Sequence, residues 1–554
     1  MSRSRSPIFA LIFAIILFAS ARIFAGGQVD KRSMSATTKS LTKDSVVRFD
    51  ELEPRRLLSA YVVATTGSDS AAGTTDAPWR TLQHAADRVA PGDTVNVRAG
   101  NYTGFQLENS GTRLNRITFR AELGVVIDHR NATTPDGINL EAASFITIRG
   151  FNVVGIERSG IRSVLNDGVQ IIGNTCDRNG RWGIFTGFSE NILIEGNIAR
   201  RSVAEHGIYF GNSADNPIIR GNICWGNRAC GIHVNSDLSQ GGDGIISNAL
   251  IENNTCWSNG AGGGSAINMD GVQNSIVRNN LIYNTYASGI SLYRIDGARG
   301  AKNNFVVNNT IVMANSNTSP GRFAINIADG STGNPVRNNI CYSYHPSSGG
   351  RGSIQVSADS RSGLVSDYNI VNDTNGFSNN DTGQNLAQWR ASTGQDAHSQ
   401  VAAPSDLFND TALSDYHLRG GSVAIDAGTG VTAPLVDMHN NGRPSNGAVD
   451  IGAFEYQNYR PPTNVQAKPA NSTSIDVSWS DGNEGDTNFV IYRRTESGQW
   501  VKLRSVSAGR TSFRDTSAAT GVRYFYRVYA YSAAGKSSAS GTVAAIAVYN
   551  PAGG

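Results

Sequence analysis

Gly173-Asn174-Thr175-Cys176, Gly196-Asn197-Ile198-Ala199 and Gly221-Asn222-Ile223-Cys224 are three statements of one phrase. Asn253-Asn254-Thr255-Cys256, Asn279-Asn280-Leu281-Ile282, Asn308-Asn309-Thr310-Ile311 and Asn338-Asn339-Ile340-Cys341 continue it, with the second Asn recurring at steps of 23, 25, 32, 26, 29 and 30 residues. A second column keeps the same rhythm: Gly183-Ile184, Gly207-Ile208, Gly231-Ile232, Ala266-Ile267, Gly289-Ile290, Ala324-Ile325 and Ser353-Ile354. Two columns in phase at a period of about 20 to 35 residues mark a solenoid. The apolar runs between the turns are short, β-branched and alternating, as in Ile290-Ser291-Leu292, so each repeat is two or three short strands rather than helices. Asn tolerates left-handed backbone and bonds locally in turns, and a stacked Asn column can also bond from coil to coil. The expected fold is all-β: a parallel β-helix.

These repeats resemble the right-handed parallel β-helix proteins that include pectate and alginate lyases, C5-epimerases and some glycoside hydrolases. The resemblance covers residues 61–456. At its start, Tyr61-Val62-Val63-Ala64 reads as a strand and Trp79–Val89 as an amphipathic helix stopped by Pro91-Gly92, a pattern similar to the helix that caps the open end of secreted β-helices. At its end, Tyr416-His417-Leu418, Ala424–Gly428, Val436-Asp437 and Asp450–Tyr456 resemble the closing segment sometimes called a choice-of-anchor module. Its aspartates are read as bonding to backbone in turns, a bound cation being the alternative, and His84, His417 and His439 are given no catalytic role. Arg460-Pro461-Pro462 sits in a linker, 457–463. Residues 464–549, with alternating strands, Trp479 and Tyr524–Ala530, resemble a fibronectin type III β-sandwich that serves as spacer or attachment module.

Composition sets the outer limits. The 554 residues are ample for a large core, and 61 glycines with only 17% charged residues suit a turn-rich β protein. A formal charge of +3 with no basic stripe excludes nucleic acid as the expected partner. Residues 1–25, with Arg3 and Arg5 before the apolar Pro7–Phe18 and the small-x-small Ala19-Ser20-Ala21, read as a signal peptide. Residues 26–60 read as an unpatterned leader, in which Leu52-Glu53-Pro54-Arg55-Arg56-Leu57-Leu58 resembles the LEPR-XLL segment of some exported bacterial proteins. Secretion or surface display follows, with no membrane span after cleavage and a monomer expected. Cys176, Cys224, Cys256 and Cys341 share one repeat position with Ala199, Ile282 and Ile311, which makes them inward fillers; Cys224 and Cys256 are the one pair on neighbouring coils able to bridge.

The chemistry must come from one outer face. If the Ile of each Gly-Ile step points inward, the next residue points out: Phe185, Tyr209, His233, Asn268, Ser291, Asn326. Two further on stand Gly187, Gly211, Asn235, Asp270, Tyr293, Ala328. The middle coils thus gather Tyr209, His233, Asn235, Asn268, Asp270, Ser291, Tyr293 and Arg294, with His206 at a strand start and Asp237, Asp243 and Asp296 on the long loops beside them. A groove of this kind suits a polysaccharide. On a uronic-acid polymer, Arg294 could neutralise the carboxylate, Tyr209 or His233 act as base and Tyr293 as acid, with His206, Asn235, Asn268, Asp270 and Ser291 binding substrate. Ca2+ is the ion that Asp237, Asp243 and Asp270 would hold. No lysine stands on this face, Lys302 being the one lysine between Tyr61 and Gln457, and the Asp-Pro-His motif of mannuronan epimerases is absent. A hydrolase would instead need Asp270 paired with Asp237 or Asp243, although the paired-Asp and Gly-His-Gly motifs of polygalacturonases are missing. The third reading is a non-catalytic surface adhesin.

Overall fold

The computed structural model describes residues 59–313, 323–344, 352–380, 382–445, 447–457, 460–483, 487–496, 498–532, 535–537 and 539–548. The signal peptide and the LEPR-XLL-like stretch lie outside the described residues. Among those described, the chain winds through three strands per coil, and stacking builds three 12-stranded sheets. One coil runs Gln170–Ile172, Thr175–Asp177, Trp182–Gly187, and each strand pairs in parallel with its counterpart one coil on. We call these the first, second and third sheets. Ile184, Ile208, Ile232, Ile267 and Ile290 are register partners and fully buried, so the inward phase of the Gly-Ile step holds.

The Asn column lies between the first and second sheets, and its bonding explains the repeat. In Asn254 the amide Nδ2 donates to Ile219 O (2.9 Å) and to Asn280 Oδ1 (3.0 Å), while Oδ1 accepts from Asn222 N and Nδ2. All of these groups are buried, where an unpaired polar group is costly, so the column recurs once per coil. Left-handed backbone falls on the residue before it: Gly173, Gly196, Gly221, Asn253, Asn279, Asn308 and Asn338 all have φ of 52 to 65°. Cys176, Cys224, Cys256 and Cys341 occupy the inward position of the second sheet, and all are free thiols, Cys224 and Cys256 included.

The capping helix is shorter than its sequence pattern, Leu82–Ala86, N-capped by Thr81. Leu82, Ala85 and Ala86 join the same core cluster as Val95 and Phe105, which closes the first end. The closing segment corrects an expectation. Tyr416, Leu418, Ala424, Ile451 and Phe454 pack on Leu281, Val312, Ile340 and Ile370, which are outward residues of the second sheet, so this segment lies along the side of the solenoid. Asn279, Asn308 and Asn338 hold it by donating to Val436 O, Asp450 O and Thr429 O. The far end is covered instead by the helix Leu386–Thr393, whose buried Trp389 stacks on Phe377 at 4.8 Å. From Thr463 the strands form a separate sandwich of two antiparallel sheets around Trp479, Phe489 and Tyr526.

Candidate functional site

The third sheet presents its outer face in three columns, and glycine decides which residues belong to them. A Cβ on Gly183 would lie 3.2 Å from Ala199 Cβ and 3.3 Å from Cys176 Cβ, so this residue faces inward along with Ile184. Gly231 is similar, 3.3 Å from Cys224 Cβ. Two successive inward residues break the alternation, and the residue before each Gly therefore turns out: Trp182, His206, Cys230, then Ser265 and Ser288 in register. Trp182, His206 and Ser265 each touch the residue after the isoleucine one coil further on. Trp182 stacks on Tyr209 (5.8 Å), His206 Nε2 meets His233 Nδ1 (3.1 Å), and Ser265 Oγ meets Ser291 Oγ (2.7 Å). Trp182 and Cys230 are site residues that reading from the isoleucine alone misses; the Gly before each Ile was the available signal.

The same diagonal continues to the third column. Asn235 Nδ2 donates to Tyr209 Oη (3.0 Å), and Asn268 Nδ2 donates to Tyr293 Oη (2.9 Å). The Tyr209 ring lies over Gly211, where a Cβ would be 3.2 Å from Cζ. Asn235 Oδ1 and Trp182 Nε1 are buried and have no hydrogen-bond partner among the described residues. Asn235 Nδ2 also reaches Asp296 Oδ2 at 3.2 Å, which brings a loop carboxylate to the face.

A directional chain of bonds crosses the site. Cys230 N–H donates to His206 Nδ1 (3.1 Å), and a backbone N–H can only donate. Neutral His206 therefore carries its proton on Nε2 and gives it to His233 Nδ1, and neutral His233 presents Nε2–H to Tyr293 Oη at 3.5 Å. Both rings are neutral: burial pulls His206 down to about 4 and His233 well below its ordinary value. Burial pushes Tyr209 up to about 12 and Tyr293 up as well. His233 thus meets the tyrosine as a donor, which corrects its reading as a base.

Other expected site residues are placed elsewhere. Asp270 is 1% exposed, and its two oxygens accept from the backbone N–H groups of Ile295, Asp296 and Gly297. It anchors the loop that follows Tyr293, with both oxygens taken up by that backbone. Ser291 is buried against Ser265. Asp237 bonds Ser239 N and Oγ, and Asp243 bonds Ile245 N, each closing its own turn. The calcium set Asp237, Asp243 and Asp270 is not assembled: among the described residues, the one group of three His, Cys, Asp or Glu ligand atoms within 4.8 Å of one another is His206, Cys230 and His233. With Asp270 withdrawn, the carboxylate pair for hydrolysis is not presented either. Arg294 is exposed just beyond Tyr293 and has no ion-pair partner among the described residues.

Comparison with known proteins places the two architectures. Residues 61–204 match the family described as "Pel9A-like, right handed beta helix region", residues 201–375 match "Right handed beta helix region", and residues 460–546 match "Fibronectin type III domain". The solenoid is accordingly a right-handed parallel β-helix and the sandwich a fibronectin type III domain. A protein named pectate lyase PEL9 from Emericella nidulans is 40% identical over 89 residues, and the uncharacterized protein YwoF of Bacillus subtilis is 44% identical over 59. These stretches are 15% and 10% of this chain and span 22% and 13% of those proteins. The solved structure of pectate lyase Pel9A is 18% identical, with a TM-score of 0.49, covering 72% of this chain and 96% of that one.

Proposed function

We propose that this chain is an exported polysaccharide lyase or C5-epimerase acting on a uronic-acid polymer across the third-sheet face. The observation that carries the reading is the Tyr293 hydroxyl: Oη accepts from Asn268 Nδ2 and faces His233 Nε2–H, so its own O–H is left for a third partner. In β-elimination the C5–H bond breaks, its electron pair forms the C4–C5 double bond, the C4–O bond breaks, and the departing oxygen takes a proton. Tyr293, held protonated by burial, supplies that proton, or returns one to the opposite side of C5 in epimerisation. Tyr209, once its own O–H proton has passed to solvent, takes the C5 proton as the phenolate, and Arg294 lies against the sugar carboxylate. The name of the pectate lyase matched over 89 residues supports the same class, and the N-terminal Arg3, Arg5 and Pro7–Phe18 pattern supports export.

One magnitude constrains the mechanism. Removing a proton from a phenol at about 12 in water of pH 7 costs about 7 kcal/mol, five units at 1.36 kcal/mol each. The rate should therefore climb through the alkaline range. The test is a panel of anionic and neutral polysaccharides. Ultraviolet absorbance from a new double bond means elimination, and inverted C5 without cleavage means epimerisation. Reducing ends without unsaturation mean hydrolysis; binding without product means an adhesin. Tyr293→Phe should lose at least about 100-fold in turnover with an unchanged melting profile, and full activity in that variant removes the site.

A further inference from the structure

A second pair of imidazoles faces each other far from the groove, on the closing segment. His417, on the strand Asp415–Leu418, and His439, in the turn after Asp437, bring Nε2 and Nδ1 to 3.3 Å. Phe454 lies beside both rings, at 4.4 and 5.2 Å between centroids. The pair borders a cavity of about 410 Å3 lined also by Met438, Asn440, Tyr531 and Lys536, at the junction with the fibronectin domain.

The tautomer is set by a carboxylate. Asp415 Oδ1 accepts from His417 Nδ1–H (2.6 Å), and its Oδ2 accepts from Lys536 Nζ (3.0 Å), so the Lys536 ammonium is paired. In neutral His417 the proton therefore sits on Nδ1, and the Nε2 lone pair faces His439 Nδ1. A carboxylate behind the far nitrogen is the arrangement that orients metal-binding histidines. The separation also fits: two nitrogens each about 2.05 Å from one ion, at tetrahedral angles, stand about 3.3 Å apart. The His206–Cys230–His233 group fails the same test. The Cys230 N–H on Nδ1 forces a proton onto the His206 nitrogen that would have to coordinate, and Gly264 covers Cys230 Sγ, its ideal Cβ lying only 2.6 Å away.

We propose that His417 Nε2 and His439 Nδ1 bind a divalent first-row cation of the imidazole-preferring kind (Zn2+, Cu2+, Ni2+ or Co2+), with water from the cavity completing its coordination. The ion ties the strand Asp415–Leu418 to the turn that carries His439, beside the fibronectin domain. The full chain, free of any affinity tag, is titrated with Co2+ by absorbance and with Zn2+ by equilibrium dialysis and thermal melting. One Co2+ should bind with visible bands and no thiolate charge-transfer band, and Zn2+ should raise the melting temperature. His417→Gln and His439→Gln should each weaken binding at least about 10-fold and abolish the thermal shift, and Asp415→Asn should weaken it about 10-fold. Should His417→Gln misfold, the exposed His439→Gln decides alone. Unchanged Co2+ binding in His439→Gln overturns the proposal, as does a thiolate band that disappears in Cys230→Ser, or an absence of binding at millimolar metal.

Discussion

Truncating Asn254 to alanine tests whether the amide column holds the coils together. The side chain is fully buried and makes four bonds to three residues, Ile219 and Asn222 on the coil before and Asn280 on the coil after. Alanine leaves the Asn222 backbone N–H, one Asn222 amide hydrogen and one lone pair of Ile219 O without their partner. Asn280 Oδ1 is spared, since it still accepts from Asn254 N at 3.0 Å. At about 1–3 kcal/mol for each buried orphan, and less for a carbonyl with a second lone pair, the loss should be about 3–5 kcal/mol. Asn254→Asp should be at least as damaging at neutral pH, because it turns a carboxylate oxygen toward Ile219 O and Asn280 Oδ1. Asn253→Gly is the control. That residue is left-handed at φ 57°, where earlier coils carry glycine, so the change should stay within about 1 kcal/mol. Urea unfolding followed by tryptophan fluorescence reads the affected coils directly, since Trp225 and Trp257 stack at 5.7 Å on those same two rungs. A loss under about 1 kcal/mol in Asn254→Ala, or an equal loss in Asn253→Gly, would refute the reasoning.

Two further outcomes are expected. Gly211→Ala places a methyl 3.2 Å from Tyr209 Cζ and 3.4 Å from its Oη, which should push the ring off Asn235 and cut turnover roughly 10–100-fold, while the melting temperature stays close to wild type; normal kinetics would show that the Tyr209 position does not matter. Asp450, which accepts from Asp426 N and Tyr456 N, is raised from 3.8 to about 7, burial outweighing those bonds and Arg443. A raised carboxyl contributes stability that is full below about pH 4 and is lost as pH rises toward 7. Melting should therefore weaken across that window, and Asp450→Asn should remove much of the slope; an identical slope in the variant would place the titration elsewhere.

The solenoid and its phase were legible because a stacked coil pairs with copies of itself. A residue that must be buried, such as Ile208 or Asn222, recurs at one position in every repeat, and the recurrence is visible without coordinates. From that phase Tyr209, His233, Asn235, Asn268 and Tyr293 fall on one wall, as the structure has them. The contact of the closing segment with the Asn-Asn doublets was not legible: Asn279, Asn308 and Asn338 reach out to it only in the folded chain.

Roles within the wall were settled only by tertiary contacts. Asp270 and Asn235 hold the same column, yet one is consumed by the N–H groups of a loop 25 to 27 residues on and the other turns to a tyrosine 26 residues back. His206 stands two residues before a strand and His417 lies within one. Cys230 N–H makes the first a relay with its proton committed, and the Asp415 carboxylate turns the Nε2 of the second toward His439. Period and alternation report which way a side chain points. Whether it donates, accepts or anchors depends on partners a coil or more away, and only the folded chain brings those partners together.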